Sequence, residues 1–257
     1  MLELKNISKI YNPGLVTEMC LFDDFNFTVN DGEFVSVIGS NGSGKTSMLN
    51  IICGSIPING GDVLINGKSI NKKKDFERYA NIGRVYQNPA MGNCPNMTIL
   101  ENMSLADNKG KPFGLSFALN KKRFDFYKEQ LAALGLGLED KLHVKMGALS
   151  GGQRQAVSLL MATLTPIDFL ILDEHTAALD PKTAEIIMEL TNKIVTEKKL
   201  TAIMVTHNLR YAVEYGSRLI MMDKGHIILD KQGEEKKSAS IDDILEIFNR
   251  ISIECGN

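Results

Sequence analysis

The sequence predicts an α/β fold built on a parallel sheet, and three stretches carry that prediction. The apolar run Phe34-Val35-Ser36-Val37-Ile38 leads into Gly39-Ser40-Asn41-Gly42-Ser43-Gly44-Lys45-Thr46, and a helical pattern follows from Thr46 to Ile52. Strand, glycine-rich turn and helix in that order aim backbone N–H groups and a helix N-terminus at phosphate oxygens. Ile167-Asp168-Phe169-Leu170-Ile171-Leu172 and Thr201-Ala202-Ile203-Met204-Val205-Thr206 are nearly continuous apolar runs, as strands covered on both faces require. With 257 residues, 44% of them hydrophobic, the chain has material for one large domain or two small ones.

Taken in order, Leu2 to Ile7 and Leu21 to Val29 alternate apolar and polar residues and read as half-buried strands. Tyr11 ends the first, before the turn Asn12-Pro13-Gly14; by itself an aromatic there reads as a core or edge residue. Asn30-Asp31-Gly32 is a tight turn into the strand before the glycine-rich loop. Asn59-Gly60-Gly61 and Asn66-Gly67 are turn signals around the short strand Asp62 to Ile65, and Ile82 to Tyr86 is a further strand ending at Gln87.

From Asn88 to about Leu149 helical spacing takes over. Met97 to Leu105 is one segment, and Phe124, Tyr127, Leu131 and Leu134 share a face of another. An inserted helical subdomain is expected here, with an exposed basic loop at Asn108 to Gly114. Beyond it, Asp180-Pro181 is a cap and first-turn pair for a helix to about Glu197, in which Ile187, Leu190 and Ile194 share a face. Arg218 to Asp230 reads as a hairpin turning at Lys224-Gly225, Glu234 to Ser238 as a polar, mobile link, and Ile241 to Ile251 as an amphipathic helix.

Composition narrows the function classes. A formal net charge of −2 gives no general basic field, so nucleic acid is not an expected partner. Cys20, Cys53, Cys94 and Cys255 are scattered without a C-x-x-C pair, which argues against zinc and disulfides and fits a reducing cytosol. The N-terminus has no basic-then-apolar leader and no window reaches eighteen apolar residues, so the chain is expected to be soluble and to meet a membrane only through a partner.

Gly39 to Thr46 spells G-x-x-x-x-G-K-T. In it the glycines allow the backbone to fold around phosphate, Lys45 meets the β- and γ-phosphates as a point charge, and the Thr46 hydroxyl ligates Mg²⁺. A strand ending in carboxylates far along the chain is what Mg²⁺–triphosphate chemistry needs. Asp173 is the candidate metal ligand and Glu174 the candidate group that polarises an attacking water. An apolar strand ending in Asp-Glu is often only a loop start; the upstream phosphate loop is what raises its interest. Leu149-Ser150-Gly151-Gly152-Gln153 opens a helix to about Leu164 and forms a second anion-binding helix N-terminus, which one triphosphate cannot easily share with the first in the same chain.

These motifs, in this order and over nearly the whole chain, resemble those of ATP-binding-cassette (ABC) ATPases. The resemblance implies a P-loop ABC-type ATPase core with an antiparallel β subdomain and an inserted α-helical subdomain at about 88–150, in a single domain spanning 1–257. Gly39, Ser40, Asn41, Gly42, Ser43, Gly44, Lys45 and Thr46 match the Walker A loop, and Phe169 to Asp173 match Walker B, with Glu174 as the catalytic glutamate. Gln87 matches the Q-loop glutamine, a sensor of γ-phosphate and Mg²⁺, and His207 the switch histidine. Tyr11 matches the aromatic that stacks on adenine, which replaces the core reading made above. Ser150, Gly151, Gly152 and Gln153 match the signature motif and Asp180 the D-loop, both of which act on ATP held by a partner subunit. Two such domains are thus expected to pair head to tail around two ATP, so that nucleotide biases a two-state element.

The same resemblance implies a permease whose coupling helix enters a groove formed by the helical subdomain and Gln87. Its ATPase would stand at the cytoplasmic face of the membrane. The string from Asp173 to Ala184 resembles a bacterial subgroup with substrate-binding lipoproteins and links to aromatic amino acids, which points to an importer. One departure is His175, where the family usually has proline; a neutral surface or packing residue is the expected reading, against a second proton-transfer role. An exporter ATPase, a soluble cassette acting on ribosomes or DNA, and a nucleotide-gated module that does not hydrolyse are the other readings. Intact Glu174 and His207 argue against the last.

Overall fold

A computed structural model describes residues 1–111, 119 and 121–254. The chain runs β1 (Leu2–Tyr11), β2 (Met19–Val29), β3 (Phe34–Gly39), α1 (Lys45–Cys53), β4 (Gly60–Ile65), β5 (Lys68–Ser69), α2 (Asp75–Tyr79) and β6 (Ile82–Val85). It continues through α3 (Ile99–Asp107), α4 (Phe124–Ala132), α5 (Gly151–Ala162), β7 (Phe169–Asp173), α6 (Pro181–Glu197), β8 (Ala202–Val205) and α7 (Leu209–Glu214). The last elements are β9 (Arg218–Asp223), β10 (His226–Gln232), α8 (Gly233–Lys237) and α9 (Ile241–Glu254). Two compact units result, one from Met1–Lys72 with Thr201–Asn257 and one from Lys73–Leu200.

In the first unit β1 pairs antiparallel with β2 and β4, and β4 with β5. A second sheet places β3 between β8 and β9, parallel to both, with β10 antiparallel to β9. Every residue of β3 is buried, as expected of a parallel strand covered on both faces. Its polar member Ser36 donates its hydroxyl to the Tyr215 carbonyl at 2.9 Å, so no buried hydroxyl is orphaned there. Ile38 packs in a cluster with Ala212 of α7, Leu219 and Met221 of β9 and Ile244 of α9. The amphipathic C-terminal helix therefore covers the strand that feeds the phosphate loop.

In the second unit β6 and β7 pair in parallel, Ile82 opposite Phe169 and Val85 opposite Leu172. Helix α5 buries Ala156, Val157, Leu159 and Leu160, and α6 buries Ile187, Leu190 and Ile194, the face expected from its spacing. Helix α4 buries Tyr127 and Leu131, and Leu134 just beyond it is also in the core. A partly exposed ion pair holds this region: Arg123 Nε and Nη2 grip the two oxygens of the buried Asp107 at 2.8 and 3.0 Å, and the Tyr127 hydroxyl adds a third bond at 2.9 Å.

Three expectations change. Gly60 and Gly61 are not a turn but the start of β4, because Gly61 passes the Lys5 and Asn6 carbonyls too closely for any side chain. Glu234 to Ser238 is not a loose link: α8 forms there, and Lys236 is 4% exposed, its Nζ donating to the Val213 and Tyr215 carbonyls at 2.6 and 2.9 Å. The basic stretch after Asn108 begins anchored, since Lys109 Nζ donates to the Ile82 carbonyl at 2.7 Å, although Lys111 is exposed. Its remainder at 112–114, like Cys255, lies outside the described residues.

Candidate nucleotide site

The phosphate loop is held from behind by the first unit. Gly39 has φ +151, and a Cβ there would sit 2.1 Å from the Met222 carbonyl oxygen, so only glycine lets β3 leave the sheet beside β9. Ser40 Oγ donates to Asp223 Oδ1 at 2.8 Å, and the Gly225 amide donates to the Ser43 carbonyl at 3.0 Å, so the β9–β10 turn braces the loop. Lys45 is 5% exposed, and its Nζ donates to the Gly39 and Ser40 carbonyls at 2.8 Å each. The ammonium is thus folded into the loop's own hollow, where a phosphate would meet it. Helix α1 has Gly44 as its N-cap, with no side-chain capping bond. First-turn amides left without a side-chain cap are suited to an anion. Thr46 in that turn is exposed.

Tyr11 is half-buried at the end of β1. Its hydroxyl lies 3.2 Å from Ser47 Oγ on α1, and the buried Lys9 places Nζ 4.8 Å from its ring centroid. The ring is thus tied to the helix that follows the phosphate loop. His207 is exposed just past β8, followed at once by α7, whose N-cap Asn208 accepts from the Tyr211 amide at 3.3 Å.

In the second unit β7 ends at Asp173, and Arg84 Nη2 donates to its Oδ2 at 2.6 Å. Glu174 has φ +48, a left-handed conformation costly for a residue with a Cβ and often found at reacting positions. His175 is a buried packing residue, with Nε2 3.0 Å from Thr191 Oγ1. The Thr191 hydroxyl donates to the Ile187 carbonyl at 2.7 Å, so the His175 proton must sit on Nε2 and point to the Thr191 oxygen. Burial pushes this histidine down to about 4, so it is neutral at physiological pH. The packing reading of His175 holds, and proton transfer does not suit a ring closed off this way.

Ser150 and Gln153 form a reciprocal capping box on α5, each side chain accepting from the other's amide at 3.2 Å. Gly152 has a packing reason as well: a Cβ there would lie 2.1 Å from Thr183 Cγ2 on α6. Asp180 caps α6 through the Thr183 amide at 3.1 Å; the Thr183 side chain first, and that amide second, hold its carboxyl below the usual carboxylate range. Gln87 is exposed just past Tyr86, whose carbonyl accepts from Gln155 Nε2 at 3.1 Å, tying the start of this loop to α5. A groove of about 1190 Å³ opens beside it, with Phe76, Tyr79, Arg84, Tyr86, Met91 and Leu105 among its lining. Neither Arg84 nor Ser47 belongs to a recognisable motif; a lone arginine inside the otherwise buried strand β6 is the available signal in the amino-acid order.

The family model described as ABC transporter matches residues 22–177. The chain belongs to the ABC transporter family. It is 45% identical over 248 residues to a tyrosine transport ATP-binding protein of Clostridioides difficile (strain R20291), covering 96% of this chain and 98% of that protein. A phosphonates import ATP-binding protein of Lactococcus lactis subsp. lactis (strain IL1403) is 32% identical over 254 residues, covering 95% and 98%. Among solved structures, an ATP-binding cassette captured as a dimer in a post-hydrolysis state with ADP and Pi superposes with a TM-score of 0.76 at 32% identity, covering 90% of this chain and 98% of that one. As a member of this family the chain is an ATP-binding, ATP-hydrolysing transporter subunit with the P-loop ABC-type fold. Among the described residues no helix is long and apolar enough to cross a membrane.

Proposed function

We propose that this chain is the ATPase subunit of an importer, a single cassette whose helical subdomain lies at about 88–150. It would work at the cytoplasmic face of the membrane through permease subunits and, on the substrate side, a substrate-binding lipoprotein. The cargo class is an aromatic amino acid; the 45% identity to a tyrosine transport ATP-binding protein supports it.

The observation that carries the ATP reading is the loop at Gly39–Thr46, where a buried Lys45 is folded against loop carbonyls behind a helix N-terminus that no side chain caps. Gly39 to Thr46 hold the triphosphate and Tyr11 the adenine. Thr46, Asp173 and Gln87 would hold Mg²⁺. That donor set is all oxygen, which suits a hard cation. The ion supplies charge neutralisation at the β- and γ-phosphates when bound. Glu174 orients and polarises the attacking water, and His207 contacts the γ-phosphate. Ser150, Gly151, Gly152, Gln153 and Asp180 act in trans, in a head-to-tail homodimer around two ATP; for Ser150 and Gln153 this requires their mutual capping bonds to be shared with the nucleotide. The groove beside Gln87 receives a permease segment.

The test is a pull-down from detergent-solubilised membranes of the native host with this chain as bait. A multi-span permease together with a substrate-binding lipoprotein is the expected recovery. A permease alone would speak against import, and ribosomes or repair factors would remove the transport role altogether.

A further inference from the structure

Arg84 is a charged residue among the buried Ile82, Gly83 and Val85 of β6, and its side chain is only 6% exposed. The parallel register sets it opposite Ile171, two residues before Asp173 on β7. Its Nη2 donates to Asp173 Oδ2 at 2.6 Å, its Nη1 lies 3.4 Å from the Tyr79 hydroxyl, and its guanidinium carbon lies 4.7 Å from the Tyr86 ring centroid. Aromatic and phenolic partners hold the planar group so that one N–H edge meets the carboxylate. A charge-assisted hydrogen bond this short holds the two groups together, and it sets a positive charge against a carboxylate that a divalent cation would otherwise find bare.

We propose that Arg84 is a positioning residue, the resident counter-ion of Asp173, and that a divalent cation arriving with nucleotide binds Asp173 in competition with it. The proposal rests on the reading of Asp173 as the carboxylate that serves the cation. A carboxylate has two oxygens and about four lone-pair sites, so the bond to Oδ2 leaves capacity on the group. The guanidinium opposes the cation mainly through its charge. The same side chain lines the groove, so the charge that restrains Asp173 is also one that a groove occupant meets.

The experiment is a Mn²⁺ titration of the full chain loaded with a non-hydrolysable ATP analogue, read by electron paramagnetic resonance of free Mn²⁺. It compares wild type with Arg84→Gln, Arg84→Met, Arg84→Lys and Asp173→Asn. Gln keeps a donor without charge, Met keeps only the apolar stem, and Lys keeps the charge without the planar fork. Either neutral variant should lower the Kd for Mn²⁺ by at least about three-fold, since a full positive charge near the ion is removed, while Arg84→Lys stays near wild type. Unchanged or weaker Mn²⁺ binding in a folded neutral variant overturns the competition and makes Arg84 a support for Asp173 only. Equal tightening in Arg84→Lys would also overturn it, because charge would not be the cause. Asp173→Asn should weaken Mn²⁺ binding and abolish the effect of Arg84→Gln in the double variant. If Asp173→Asn leaves Mn²⁺ affinity unchanged, the assignment of Asp173 fails and takes the proposal with it.

Discussion

Lys45 and His175 show how differently two buried basic side chains can serve one chain. The Lys45 ammonium has loop carbonyls as partners and stays where a phosphate is expected. Lys45→Ala removes a charge-assisted contact to phosphate and should weaken ATP binding by at least about ten-fold, near 1.4 kcal/mol; a nucleotide titration that finds unchanged affinity would count against the loop assignment. His175 has one neutral hydroxyl partner and no counter-charge from Thr191, so it is held unprotonated. Its folded value, about 4, lies below the ordinary 6.5, so between those limits the unfolded chain binds the extra proton. Its contribution to stability is therefore complete above pH 6.5 and is lost as pH falls toward 4, up to about 3 kcal/mol if no other group changes. Urea unfolding at pH 7 and pH 5 should show a smaller difference for His175→Asn than for wild type; an equal difference would mean that this ring does not set the slope.

Helix α7 matters at the next scale because it begins two residues after His207 and its C-terminal carbonyls receive Lys236. Six residues is too short for an apolar period to declare itself, so the amino-acid order alone predicts no helix there. What stabilises it is a capping Asn208 at one end, a buried ammonium at the other, and Ala212 packed against Ile38 and Ile244. Cations at a helix C-terminus satisfy the last carbonyls and oppose the helix dipole. Lys236→Ala should release that end, visible as faster amide exchange over Leu209–Tyr215 with β3 still protected. Exchange unchanged in α7 would show that apolar packing alone holds it. By contrast α6 was legible throughout: Asp180 caps it, Pro181 starts it, and its apolar face is buried as spaced.

At the scale of the whole molecule, the proposed head-to-tail pairing predicts that ATP holds two copies together until it is cleaved. If Glu174 polarises the attacking water as proposed, Glu174→Gln keeps the shape and polarity of the side chain but removes that carboxylate, so turnover should drop by about a hundred-fold or more while ATP affinity stays near wild type. Size-exclusion chromatography with Mg²⁺ and ATP should then show twice the monomer mass. A Glu174→Gln protein that turns over at the wild-type rate, or stays monomeric with ATP bound, would refute that role. The left-handed backbone at Glu174 also ties the whole to the part, because such strain persists only where surrounding structure maintains it.

The amino-acid order by itself determined the strands β3, β7 and β8, the phosphate loop between β3 and α1, the two capped helices at Ser150 and Asp180, and the family to which these motifs belong. Those features are local: a glycine φ, a cap and an apolar period are set by residues within a turn or two of one another. Only the tertiary structure decided that Arg84 closes on Asp173, that His175 is sealed under Thr191, that Lys236 is buried against α7, and that Gly152 is needed where α5 meets α6. Each of these joins residues far apart along the chain, and strand register and helix contact bring them together. Such pairings leave no periodic trace in the sequence, because a charged side chain looks the same there whether it ends in water or against a partner.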